Sequence, residues 1–102
     1  MTRSLTEHAR ENISRVHELS REYNGKEKSH MEVLLYLVKK HAEEIEELYR
    51  ASSEKFPVEV GDLLILCHEM LLESGEDPDG IMELCYGRYR RKLRELMERK
   101  EA

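Results

Sequence analysis

The amino-acid sequence predicts an all-α fold: four helices joined by short loops, bundle-like, with a core completed by oligomerisation. Three observations carry that expectation. Apolar residues recur at the three- and four-residue spacing of helices along the whole chain. The period-two alternation of half-buried strands is scarce. Glycine, proline and capping residues cut the chain into four segments of helical length. With 102 residues the chain reads as one domain, residues 1–102, able to bury only a modest core by itself. Charged residues make up 38% of it and aromatics 6%, so its apolar side chains must be gathered into stripes. Association of several copies would let such stripes bury more than one chain can.

The first helix opens on Ser4-Leu5-Thr6-Glu7, which has the pattern of a capping box. Leu5, Ala9, Ile13, Val16, Leu19 and Tyr23 then recur at helical spacing, and Asn24-Gly25 supplies a C-terminal stop. Ser29-His30-Met31-Glu32 is a second capping box. Behind it Met31, Leu34, Leu35, Val38, Ala42, Ile45, Leu48 and Tyr49 form the stripe of a long second helix, ending near Ser52 or Ser53. Lys55-Phe56-Pro57 makes the next turn, with Pro57 suited to a first helical position, where a missing N–H is harmless. The third helix is expected from about Val58 to Ser74. It is apolar on nearly every side between Leu63 and Cys67, which predicts a central position. Gly75-Glu76-Asp77-Pro78 stops and restarts the chain, with Asp77 as N-cap and Pro78 as first residue. The fourth helix carries Ile81, Leu84, Cys85, Leu93, Leu96 and Met97 to a charged end.

The formal net charge of −5 argues against general binding to nucleic acid or an anionic membrane. Within this acidic chain Arg88, Arg90, Arg91, Lys92 and Arg94 form a basic run. The two cysteines, Cys67 and Cys85, have neither C-x-x-C nor zinc-finger spacing and read as buried, reduced thiols. A polar, charged N-terminus and short apolar runs predict a soluble cytoplasmic protein.

The chemistry concentrates in two pairs of acids, Glu44/Glu47 and Glu59/Asp62. The i, i+3 spacing puts both members of a pair on one helix face, about one turn apart. A helix-start preference for acids explains Glu59, but Asp62 is a poor helix former one turn in. An antiparallel hairpin would bring both pairs to the same end of two helices, making the hard, oxygen-only surroundings that Mg²⁺ prefers. The competing interpretation is a solvated acidic face on a non-catalytic helical interaction module. Lys39 and Lys40 are expected to pair with Glu43 and Glu44 at i+4. Glu69 lies seven residues beyond Asp62 and extends the acidic stripe, whereas His68 reads as a hydrogen-bonded packing residue.

Ala42–Leu48 (AEEIEEL) followed by Glu59–Leu64 (EVGDLL) resembles the paired E-x-x-E and E-x-x-D motifs of the MazG-like, all-α nucleoside triphosphate pyrophosphohydrolases. The likeness continues through Ser74–Leu93 (SGEDPDGIMELCYGRYRRKL), with a turn, a Pro-initiated helix and a basic pattern. It spans roughly Met31 to Leu93.

That resemblance implies Mg²⁺, with Mn²⁺ as a substitute, held by Glu44, Glu47, Glu59 and Asp62. It implies attack of water on the α-phosphorus of a nucleoside triphosphate, giving a monophosphate and pyrophosphate, with Glu44 or neighbouring Glu43 as proton acceptor. Arg88 and Lys92 match the family's basic, phosphate-facing positions, and the expected assembly is a homodimer or homotetramer. Two departures concern base and sugar recognition: Tyr86 stands where relatives often carry Asn, and Tyr23 is the nearest aromatic to the end of the first helix. A phosphoribosyl-ATP pyrophosphohydrolase, which shares fold and acid pattern, is the nearest alternative activity.

Overall fold

A computed structural model describes residues 5–24 and 30–101, with the side chains of residues 5, 6, 8, 9 and 101 left aside. Among these residues the protein is all-helical: α1 (Leu5–Asn24), α2 (His30–Arg50), α3 (Phe56–Glu73) and α4 (Pro78–Glu101). Among the described residues no helix is long and apolar enough to cross a membrane. Ser4, Gly25 and Ser29, on which the first stop and both capping boxes depend, lie outside the described residues.

The two described interhelical turns end their helices in the same way. After α2, the Ser53 N–H donates to the Leu48 carbonyl at 3.0 Å and the Ser52 N–H to the Tyr49 carbonyl at 3.1 Å. After α3, the Glu76 N–H donates to Leu71 at 3.0 Å and the Gly75 N–H to Leu72 at 3.0 Å. Each pair of bonds is a Schellman closure, which needs a left-handed residue just past the helix. Gly75 fills that place at φ 82°, and Ser52 fills the other at φ 54°. The sequence therefore places the α2 stop close to where it occurs. Helix α3 begins at Phe56, so Pro57 occupies its second position rather than its first. Asp77 caps α4 as expected, its Oδ1 accepting the Asp79 N–H at 3.3 Å, with Pro78 as first residue.

Helix α3 is the hub: α1, α2 and α4 all pack on it, and α2 and α3 form the principal antiparallel hairpin. Its two loop-end rings, Tyr49 and Phe56, meet with centroids 5.5 Å apart. The core is small. Leu34 of α2 is fully buried and Leu66 of α3 is 8% exposed, and these are the buried apolar side chains among the described residues.

Helix α4 does not fold back over the other three. Among the described residues its backbone approaches that of α3 alone, although Arg10 of α1 forms a salt bridge with Asp79 in its first turn. From Arg88 onward to Lys100 every α4 residue is exposed. The radius of gyration is 16.8 Å, against about 13 Å for a compact domain of this length. The all-α expectation therefore holds, while one chain forms a three-helix body with a projecting fourth helix.

Three expectations need correction. In α1 part of the proposed stripe is turned outward: Val16, Leu19 and Tyr23 are exposed, while Ile13 stays on an inward edge shared with His17, Ser20 and Asn24. The inward place goes to a polar residue, His17, whose ring nitrogens face the carboxylates of Glu69 and Glu73 on α3. Cys67 is exposed and Cys85 half-buried rather than both being enclosed: Cys67 directly follows buried Leu66 and so lies on another side of α3, and Cys85 lies on α4, whose backbone approaches only α3 among the described residues. Lys39 and Lys40 are exposed and lie beyond ion-pair distance of Glu43 and Glu44 among the described residues; the α2 pair is Arg50–Glu46, at 2.9 Å.

Candidate functional site

Along one line of α3, Glu59, Asp62, Leu66, Glu69 and Glu73 recur at three- and four-residue steps, and each is buried or half-buried. Four of these five are acids. Such a seam requires partners, because an uncompensated buried carboxylate costs several kcal/mol, roughly. The partners are histidines placed at each end.

Near the α2–α3 loop, His41 donates its Nδ1–H to Oε2 of Glu59 across the hairpin at 2.8 Å. Both side chains are about three-quarters buried, at 24% and 23% exposure. His41 reaches this place because it continues the Leu34, Val38, Ile45, Leu48 register on the inward face of α2. Glu44 lies one turn further along the same helix. One ligand atom each from His41, Glu44 and Glu59 lie within 4.8 Å of one another, with Glu44 exposed and the other two half-buried.

Of the four acids expected to converge, the hairpin thus brings Glu44 and Glu59 together. Glu47 is exposed and Asp62 half-buried, and neither brings an oxygen into that 4.8 Å set. Helix geometry explains the divergence. Glu47 lies one turn nearer the loop than Glu44, and Asp62 one turn further from it than Glu59. The outer acids are therefore offset by about 9 Å along the axes, one on each side of the central pair. Glu43, adjacent to Glu44, is exposed to solvent.

Arg88 and Lys92 are exposed on the projecting part of α4. The backbones of α2 and α4 do not approach one another among the described residues, so within one chain these cations are not packed against the hairpin site. His68 behaves as expected of a packing residue, donating Nδ1–H to the Leu64 carbonyl of its own helix at 2.8 Å.

Sequence reasoning overlooked His41, although the signal was present. It stands three residues before Glu44 and interrupts an apolar stripe at an inward position, where a lone polar residue must find a partner. Away from the hairpin site, α1, α3 and the first turns of α4 enclose an apolar groove of about 820 Å³. Ile13, Val16, Leu64, Ile65, Met82 and Tyr86 contribute to its walls.

No family model, curated protein or solved structure matches this chain.

Proposed function

We propose that this protein is a Mg²⁺-dependent nucleoside triphosphate pyrophosphohydrolase that works as a helical homo-oligomer. The observation that carries the proposal is the meeting of Glu44 and Glu59 from opposite helices, with a further acid one turn to either side of them. The donor chemistry fits a hard cation. Carboxylate oxygens supply the ligands, while His41 spends its Nδ1–H on Glu59 and acts as an orienting group rather than a nitrogen ligand. Mn²⁺ is the natural substitute in such oxygen-rich surroundings.

Glu44 and Glu59 would hold the ion, with Glu47 and Asp62 extending the acidic surface along the hairpin. Bound Mg²⁺ would neutralise phosphate oxygens and make a water easier to deprotonate. Glu44, exposed and central, is the preferred acceptor for the proton of a water attacking the α-phosphorus, and Glu43 is the second candidate. The bond from the α-phosphorus to the bridging oxygen breaks, and pyrophosphate leaves with that oxygen. Arg88 and Lys92 would neutralise the departing phosphates. Because α4 projects away from its own hairpin, they would most readily serve the site of another copy.

One observation favours a different class. The long apolar flank of α4, including Tyr89, Leu93 and Met97 at 66%, 56% and 62% exposure, suits a helical interaction module in which the acids are solvated surface. Pyrophosphate release separates the two. A panel of nucleoside triphosphates, dUTP and phosphoribosyl-ATP, assayed with Mg²⁺ and with Mn²⁺, should yield metal-dependent turnover on at least one member. Absence of turnover across the panel, together with a melting temperature indifferent to millimolar Mg²⁺, would favour the interaction module.

A further inference from the structure

At the opposite end of the α3 seam, ten residues beyond Glu59 and about 15 Å along the helix, a second polar cluster joins three helices. It contains His17 of α1, His30 at the start of α2, and Glu69 and Glu73 of α3. Their side chains are 12%, 6%, 3% and 18% exposed. His17 Nε2 lies 3.4 Å from Glu73 Oε2, and His30 Nε2 lies 3.9 Å from the same oxygen. His17 Nδ1 and His30 Nε2 lie 3.5 and 3.7 Å from Glu69 Oε1. None of these separations is a hydrogen bond, and His17 Nδ1, His30 Nε2, Glu69 Oε1 and Glu73 Oε2 are all buried without a hydrogen-bonding partner. Four orphaned polar atoms at one point are costly, and their convergence points to a missing occupant.

We infer that His17 Nε2, His30 Nε2 and Glu73 Oε2 form a binding site for a borderline-soft divalent cation of the Zn²⁺ class. The spacing agrees. Ligand atoms about 2.0–2.1 Å from a tetrahedral zinc stand about 3.3–3.4 Å from one another, longer than a hydrogen bond and close to the gaps seen here. One ligand atom from each of the three residues lies within 4.8 Å of the others. Two imidazoles and one carboxylate favour Zn²⁺ or Co²⁺ over Mg²⁺ or Ca²⁺, and they leave a fourth position for water.

The surroundings contain the orienting groups that such a site requires. Glu69 faces Nδ1 of His17 and, by accepting a hydrogen bond from Nδ1–H, would leave the Nε2 lone pair free to ligate. Asn24 lies with Nδ2 at 2.9 Å from Nδ1 of His30. Turned over, its amide keeps the same shape, accepts Nδ1–H and leaves the Nε2 lone pair facing the cluster. Arg21, exposed at the mouth, has Nε 3.6 Å from Glu73 Oε2 and competes with the ion for that oxygen. The site also accounts for the orientation of α1, whose inward edge carries His17, Ser20 and Asn24 beside Ile13 while Leu19 and Tyr23 are exposed. An ion at this point would tie α1, α2 and α3 together.

The experiment is titration of the chelator-treated full chain with Zn²⁺, followed by calorimetry and melting temperature, and with Co²⁺, followed by visible absorption. The expected result is uptake of a single equivalent by this cluster, a raised melting temperature in excess Mg²⁺, and a Co²⁺ spectrum of nitrogen and oxygen ligands without a thiolate band. His17→Gln, His30→Gln and Glu73→Gln should each weaken uptake about 10–100-fold or more. Glu44→Gln, Cys67→Ser and Cys85→Ser should leave it unchanged, which separates this site from the hairpin and from the thiols. Absence of Zn²⁺ uptake by the wild-type chain overturns the inference without any variant having to fold. So does uptake that survives the combined His17→Gln/His30→Gln change, or that disappears with Cys67→Ser.

Discussion

His41 and Glu59 join the two long helices of the hairpin through a 2.8 Å hydrogen bond between Nδ1 and Oε2, and Glu44, one turn along α2, brings a carboxylate oxygen within 4.8 Å of this pair. Replacing His41 with Leu should leave the helices intact at a cost of about 1 kcal/mol, the size of one net hydrogen bond at a part-buried position. Its larger effect should fall on the metal. Loss of an orienting partner commonly lowers metal affinity about 10–100-fold. The concentration of Mg²⁺ giving half-maximal pyrophosphate release should rise by that factor in His41→Leu. An unchanged Mg²⁺ dependence would mean that Glu59 is not oriented through His41.

The offset along the hairpin ranks the acids. Glu44→Gln and Glu59→Gln remove the two carboxylates that meet, and each should lower turnover by about 10²-fold or more, in line with the loss of a central electrostatic group. Glu47→Gln and Asp62→Asn act from one turn away. They should cost less, about 10-fold, with part of the loss recovered at raised Mg²⁺. Circular dichroism should show all four variants helical. Equal losses at the four positions would require a hairpin register in which the outer acids also converge.

Much of this geometry was legible in the sequence, and the remainder was hidden for a physical reason. The element order, the Asp77-Pro78 restart and the acid stripe through Glu69 followed from capping chemistry and helical spacing. The rotation of α1 did not. Its hydrophobic residues define one face by periodicity, yet His17 turns another face inward because Glu69 and Glu73 lie opposite. Periodicity reports which residues avoid water, and it carries no information about which polar residues have partners on another helix. His41 and His30 likewise stand at inward positions, facing α3 carboxylates that lie 18 and 39 residues further along the chain.

Ser52 tests the turn chemistry. It holds a left-handed conformation at φ 54°, where a Cβ is disfavoured, while the equivalent place after α3 is Gly75 at φ 82°. Ser52→Gly should stabilise the chain by about 0.5–1 kcal/mol, and Gly75→Ala should destabilise it by about 1 kcal/mol. Urea unfolding would register both as opposite movements of the midpoint without a change of slope. A destabilised Ser52→Gly would show that the serine contributes more to this turn than its backbone strain removes.

The projecting helix gives the most direct test of assembly. Along α4, Tyr86, Tyr89, Leu93, Leu96 and Met97 are 53%, 66%, 56%, 47% and 62% exposed, on a helix whose backbone, among the described residues, approaches only α3. A soluble monomer rarely leaves so continuous an apolar flank in water. Light scattering of the purified chain should therefore give the mass of a dimer or tetramer. Leu93→Glu combined with Leu96→Glu places two charges on that flank and should shift the population to monomer while α1–α3 stay folded. If Arg88 and Lys92 serve the hairpin of another copy, the same variant should lose pyrophosphohydrolase activity. Its Zn²⁺ uptake by His17, His30 and Glu73 should remain, because all three belong to one chain's three-helix body. A monomeric wild type with full activity would instead assign phosphate binding to groups outside α4.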